Sequence, residues 1–213
     1  MVDVGCGVGT WLAEFVRGGV VDVLGVDGSH VDPAMLQIPR ERFRAHDLTR
    51  PLELGRRFDL AVSVEVAEHL PEAAADAFVA SLVAAAPVVV FSAAIPGQGG
   101  EGHVNESWPL AWARRFAAHG HRWADPLRAS LWNDPRVEFW YAQNLLVFHA
   151  PDAFPSPPWP PGTPAGDAAS IERSPLSLVH PSLLAIYVKR RPTFKRAWRE
   201  WRRSMKRRLA GGG

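Results

Sequence analysis

The chain has a single cysteine, Cys6, so no disulfide can form within it and a reducing compartment is expected. No apolar run reaches the roughly 18 residues of a membrane span, and the N-terminus lacks the basic region of a secretory signal. A cytoplasmic location follows as the expectation. Internal repeats are absent. With 213 residues the chain is long enough to fill one α/β domain and short for two. The glycine turn near the N-terminus lacks the third glycine where a dinucleotide fingerprint needs it, which argues against a pyrophosphate-binding loop.

What the chain does have begins at once. Met1, Val2 and Val4 form a short apolar strand with Asp3 inside it, and the strand enters a turn carrying Gly5, Gly7 and Gly9. Alternate glycines let the backbone turn sharply and bring a ligand close to the N–H groups that open the next helix. Val21 to Val26 reads as a second strand ending in Asp27 and Gly28, about 20 residues past the loop, the separation at which a nucleotide fold sets a carboxylate on ribose hydroxyls. Phe43 to His46 reads as a third strand, followed by Asp47 and Leu48. Phe58 to Val64 and Pro87 to Phe91 read as a fourth and a fifth, and Gln143 to His149 as the last. Strands alternating with helical stretches predict an α/β fold, a mostly parallel sheet with helices on both faces. Asp27 and Asp47 taken singly are equally readable as turn or helix-capping residues.

The run from Val2 to Gly9 resembles motif I of the class I S-adenosylmethionine (SAM)-dependent methyltransferases. The resemblance implies a Rossmann-like methyltransferase fold with SAM as cofactor, held by Asp3, Gly5, Cys6, Gly7, Gly9, Asp27, Gly28, Asp47, Leu48 and Glu65. It implies that Asp27 takes the ribose, and that Asp47 accepts from the adenine amino group while apolar neighbours sandwich the ring. Cys6 reads as a space-filler in the loop. Members of the family usually carry a few tens of residues before this motif, forming a helix over the cofactor. Here the strand begins at Met1, so the expected fold lacks the usual N-terminal helix, the cofactor is expected to be partly open to water, and the chain is expected to be an incomplete enzyme or to start at a misassigned codon.

A second cluster follows the fourth strand, in the run Glu65, Val66, Ala67, Glu68, His69, Leu70, Pro71. Open α/β sheets bind ligands at that end of their strands. Many small-molecule methyltransferases resemble it in carrying a Glu-x-x-Glu-His run there, and in the small-RNA 2′-O-methyltransferases and ubiquinone-pathway O-methyltransferases the equivalent acids and His hold a divalent metal. Glu65, Glu68, His69 and His103 are therefore candidate metal ligands. In metal-free relatives the acids shape the pocket or cap the helix that Pro71 opens. Methyl transfer demands alignment above all, and a hydroxyl acceptor also benefits from a general base. His69, His103 and Glu68 are the catalytic candidates.

Ser107, Trp108, Trp112 and Phe116 fit a helix with one apolar face, so several of these rings belong to the core. Trp132, Trp140 and Tyr141, beside polar residues, also suit stacking on sugar or aromatic rings. The stretch from Asn105 to Asn144 resembles bacterial methyltransferases of polysaccharide and natural-product pathways. Seven prolines between Pro151 and Pro164 predict an extended linker. Residues 189–208 hold 11 Lys and Arg against Glu200 alone, net +10, while the rest of the chain holds 13 against 21, net −8. Phe194, Trp198, Trp201, Met205 and Leu209 recur at helical spacing among those charges. Such a helix suits an anionic membrane surface, nucleic acid, or an acidic face of the same or another protein. The expected organisation is a SAM-binding domain over 1–150, a Pro-rich linker and extension over 151–188, and a basic amphipathic helix over 189–213.

The leading expectation is O-methylation of a small molecule or glycan, with peripheral membrane contact at the inner face through residues 189–209. A degenerate SAM-binding interaction module is the first alternative and a nucleic-acid ribose methyltransferase the second. No Asn-Pro-Pro-Tyr-like run follows the fourth strand, which disfavours methylation of bases.

Overall fold

In the computed structural model, which describes residues 1–190, the central strand is β1 (Val2–Val4), all three residues buried. Val2 and Val4 share one face of the strand, as the pleat requires, and Asp3 takes the other. Val2 and Val4 join one cluster, whereas Met1 and Cys6 join another. The glycine turn follows, and α1 (Thr10–Arg17) packs Leu12 into the second cluster. Next come β2 (Leu24–Asp27), β3 (Phe43–Ala45), β4 (Ala61–Val64), α2 (Ala75–Ala85) and β5 (Val88–Ser92). Beyond them lie α3 (Pro109–Ala118), β6 (Arg122–Ala124), α4 (Arg128–Leu131), α5 (Phe139–Asn144), β7 (Leu146–His149) and β8 (Ala165–Gly166).

The eight strands form one sheet in the order β3-β2-β1-β4-β5-β7-β6-β8. The first five are mutually parallel, and β7 runs antiparallel to both β5 and β6. Helices cover both faces: α1 on one side, and on the other α2 and α3, whose Phe78, Leu82, Trp112 and Phe116 fill the larger core. Phe116 stacks on Phe148 of β7 at 3.9 Å between ring centroids, which fixes α3 to the antiparallel part of the sheet. Pro109 opens α3, where its missing N–H has no partner to lose. The α/β reading with a mostly parallel sheet holds.

Several expected boundaries move. The second strand begins at Leu24, because Val21 is 81% exposed and lies before the ladder. The fourth begins at Ala61, since the N–H of Phe58 goes instead to the Ala85 carbonyl at 2.8 Å. The last begins at Leu146, because Gln143 and Asn144 close α5.

The proline-rich segment is not a linker leaving the sheet. Main-chain bonds run from Asp125 to Pro164 at 2.8 Å, β8 pairs with β6, and Ile171 and Leu176 enter the larger core. The anchor is Arg128, 3% exposed: it bonds Asp125 and donates to the carbonyls of Gln143 at 3.2 Å and Leu176 at 2.8 Å. The first compact unit accordingly runs from Met1 to Leu178, beyond the expected boundary at 150. A second unit begins at Val179, and within it α6 (Pro181–Arg190) is described. No helix of the described residues is long and apolar enough to cross a membrane. Of the basic amphipathic segment expected over 189–213, residues 191–213 lie outside the described residues.

Candidate functional site

The parallel strands all end at one edge, and the loops leaving β1, β2, β3 and β4 there enclose a cavity of about 480 Å³. Gly5 and Gly7 line it from β1, Asp27, Gly28 and His30 from β2, Asp47 and Leu48 from β3, and Glu65, Val66 and His69 from β4.

Gly5 has a φ of 89°, and a Cβ on it would lie 2.3 Å from the Val66 side chain, so only glycine lets the two loops meet. Asp27 ties the floor together. Its carboxylate accepts from the N–H of Gly7 at 2.6 Å and from its neighbour Gly28 at 2.6 Å, while His30 stands 3.7 Å away. Each carboxylate oxygen keeps a lone pair for a ligand hydroxyl. Asp47 takes both the N–H and the hydroxyl of Thr49, at 3.0 and 2.7 Å, and those bonds hold its carboxyl below the usual range. It is thus a turn residue that also borders the cavity, with buried Leu48 beside it.

Asp3, Cys6 and Gly9, also expected at the cofactor, do not line the cavity, and Gly9 closes the loop by donating its N–H to the Cys6 carbonyl at 2.8 Å. Asp3 is 1% exposed with one oxygen unpartnered, and burial, reinforced by the charge of Asp27, pushes its pKa up to about 7. Cys6 is buried in the smaller core, where desolvation and the nearby Asp3 and Asp27 push its thiol up, in keeping with a space-filling role.

The β4 side is built differently. Glu65 is the one non-glycine residue with positive φ, 54°, among those described. Such a conformation persists only where its surroundings enforce it. Here they do. Its N–H donates to the Ser92 carbonyl and hydroxyl, both at 3.1 Å. Its carboxylate accepts from the Ser92 hydroxyl at 2.8 Å, Gln98 at 2.8 Å and Asn144 at 3.1 Å. Gln143 completes this mesh by donating to Asn144 at 2.9 Å.

Glu68, three residues on, is 1% exposed, and neither carboxylate oxygen has a partner. Burial first, then the charge of Glu65, raises its pKa well above the usual carboxylate range and favours the protonated acid. The loop after β5 closes over it. The N–H groups of Val104 and Asn105 donate to the Glu68 carbonyl at 2.8 and 3.0 Å. The loop folds around Glu106, which accepts from Gly97, from Gly99 at 2.7 Å, and from His103 Nδ1 at 3.0 Å. Despite partial burial, those bonds hold the Glu106 carboxyl below the usual range. A proton on Nδ1 leaves Nε2 as the free electron pair of His103.

His69 and His103 meet edge to face at 4.9 Å, and with Glu68 they offer three ligand atoms within 4.8 Å of one another. Of the four expected ligands, the structure brings Glu68, His69 and His103 together. Glu65 is drawn aside by Ser92, Gln98 and Asn144. The sequence reading missed Ser92, Gln98, His30 and Glu106 altogether. A serine closing the apolar run Val88–Ser92 was the available signal, since polar residues at the carboxyl ends of parallel strands face the ligand edge.

A family model described as a methyltransferase domain matches residues 1–131. Among curated proteins nothing matches. Among solved structures, the methyltransferase domain of bacterial CtHen1 aligns at 20% identity over 70% of this chain and 88% of its own, with a TM-score of 0.52. Magnesium protoporphyrin IX methyltransferase from Synechocystis PCC 6803, with bound SAM, aligns at 20% identity over 70% and 68%, with a TM-score of 0.51. A glycopeptide N-methyltransferase complexed with SAM aligns at 20% identity over 46% of this chain, which spans about half of that protein's length, 48%, with a TM-score of 0.38. At these identities the likeness is one of fold.

Proposed function

The chain belongs to the methyltransferase-domain family, and on that premise we propose that it is a SAM-dependent methyltransferase acting on a hydroxyl of a small molecule or glycan. The observation that carries the proposal is the single cavity bordered by the Gly5/Gly7 loop and Asp27 on one side and by His69 on the other. A nucleoside-bearing cofactor and a proton acceptor would thus share one cavity.

The residues fit such a cofactor. Asp27 has lone pairs for two vicinal hydroxyls, Leu48 offers an apolar surface for a purine, and Asp47 borders the same end. The open glycine loop leaves main chain facing the cavity. When bound, SAM supplies an electrophilic methyl group on a sulfonium. This chain's part is to position the acceptor and remove its proton. His69 borders the cavity and takes the hydroxyl proton on an imidazole nitrogen. His103, oriented by Glu106, stands beside it, and the buried carboxyl of Glu68, favoured as the protonated acid, lies in the same cluster. Calorimetry with SAM and with NADH tests the assignment: uptake of SAM alone is expected, and uptake of NADH alone overturns it.

A divalent cation at Glu68, His69 and His103 is a second reading, favoured by the two unpartnered oxygens of a buried carboxyl beside two imidazoles. One oxygen and two nitrogens suit a transition ion better than Mg²⁺. On this reading, activity disappears in excess chelator and returns with Mn²⁺ or Zn²⁺. Full turnover in chelator leaves His69 as the base. Peripheral membrane contact through residues 189–209 rests on their charge pattern alone, and co-sedimentation with anionic vesicles, lost in protein ending before Lys189, tests it.

A further inference from the structure

Three consecutive aromatics, Phe139, Trp140 and Tyr141, occupy the first turn of α5. Successive helical residues point about 100° apart, so a single buried face cannot take all three rings. Each is half-buried, whereas Ala142, Gln143 and Asn144 at the other end of the same helix are buried. The helix is therefore anchored by its amide end, through Asn144 to Glu65, and holds its aromatic end out.

The ring that meets it comes from the other side of the cleft. Trp11 follows the glycine loop by two residues, is 43% exposed, and meets Tyr141 at 5.7 Å with the planes at 86°. Tyr141 in turn meets Trp140 at 5.9 Å. In the sheet, β4 and β5 stand between β1, which leads to Trp11, and β7, which follows Tyr141. The pair thus bridges the carboxyl ends of those two strands, the edge from which Glu65 and His69 border the cavity. An indole left this open at that place does no core work, and two perpendicular rings make a corner shaped for a third.

We propose that Trp11 and Tyr141 form the seat of the methyl acceptor, and that the acceptor is a hydroxyl-bearing six-membered ring lying on the Trp11 indole. The shared chemistry is a flat face of C–H or π character with a hydroxyl on its rim, which a phenol and a pyranose both offer. This deepens the methyltransferase reading and rests on it.

The test uses the full chain labelled with 5-fluorotryptophan, with the Trp11 resonance assigned from Trp11→Phe. Catechol and methyl glucopyranoside are the two ring probes, glycerol is the acyclic control, and each is titrated with and without S-adenosylhomocysteine. A shift of the Trp11 resonance with at least one ring and none with glycerol is expected, and the responding arm distinguishes aryl from sugar. Tyr141→Ala should weaken that ring about tenfold, in keeping with the loss of one stacking partner. Absence of a shift with both rings, or an equal shift with glycerol, overturns the seat. Uptake of S-adenosylhomocysteine, read separately by calorimetry, belongs to the cofactor assignment: its failure with the Trp11 shift intact removes the cofactor and keeps the ring site.

Discussion

Over β1 and β2 the cleft is lined by main chain: Gly5, Gly7 and Gly28 bring their backbone to the surface, and Asp27 locks two of those N–H groups at 2.6 Å each. Over β4 and β5 it is lined by side chains. Glu65 is forced to a φ of 54°, three polar residues hold its carboxylate, and Glu68 lies beneath with neither oxygen paired. The first region is finished before any ligand arrives, whereas the second keeps strain and unmet hydrogen-bonding capacity. Unpaired buried groups cost stability, so a chain keeps them where they meet a ligand or a proton. On the proposed function, the contrast puts binding in one half and chemistry in the other.

The largest expected effect comes from loosening the side-chain half alone. Arg128 holds α5 by the Gln143 carbonyl and the 151–178 segment by the Leu176 carbonyl, with Asp125 as its charge partner. Arg128→Ala should cost about 3–5 kcal/mol, the usual cost of breaking a largely buried ion pair by removing one partner. Urea denaturation measures it. The contrast sharpens if the surviving folded protein keeps its SAM affinity but loses turnover, and breaks if affinity falls equally.

That same arginine shows where sequence reading stops. The glycine loop, Asp27 and Asp47 were legible because they are local: each is fixed by a strand end and a turn a few residues long. The α/β class was legible from the same alternation of elements. The Glu65 mesh was not, since Gln98, Ser92 and Asn144 reach one carboxylate from three separate elements, and nothing in local spacing reports that convergence. The proline-rich stretch misled for a related reason. Its composition is that of an extended chain, but Ile171 and Leu176 beyond it carry it back into the core, and only tertiary contact decides between leaving and returning. His69 and His103 were named together as candidate ligands from sequence, whereas their edge-to-face geometry needed the loop that Glu106 folds.

The next effect is on the main-chain half. Asp27→Ala removes the acceptor of two backbone N–H groups along with the proposed ribose partner, and should weaken SAM by roughly 1.5–3 kcal/mol, the worth of charge-assisted hydrogen bonds. Calorimetry reads it directly. His69→Ala, across the cavity, should leave SAM affinity unchanged and lower turnover. A loss of affinity in the His69 variant and none in the Asp27 variant would reverse the assignment of the two halves.

The smallest effect concerns the one loose end in the main-chain half, the unpartnered oxygen of Asp3. Burial and the Asp27 charge raise the Asp3 pKa to about 7 from an ordinary 3.8, so between those values the folded protein binds a proton that the unfolded chain has released. Stability from this group is fully present below about pH 4 and is lost as pH rises through 7, at a limiting rate of about 1.4 kcal/mol per pH unit. Without ligand, Asp3 should therefore contribute a loss of about 2 kcal/mol between pH 5 and 7. Asp3→Asn keeps the shape and removes the proton, so its urea midpoint should vary less over that range. Glu68, raised first by burial and then by the Glu65 charge, adds a decline of the same sign over the same range and beyond it, on the opposite side of the cleft. If the decline persists in Asp3→Asn and disappears in Glu68→Gln, the titrating burden lies wholly in the side-chain half, and the main-chain half is neutral at its core as well as closed at its surface.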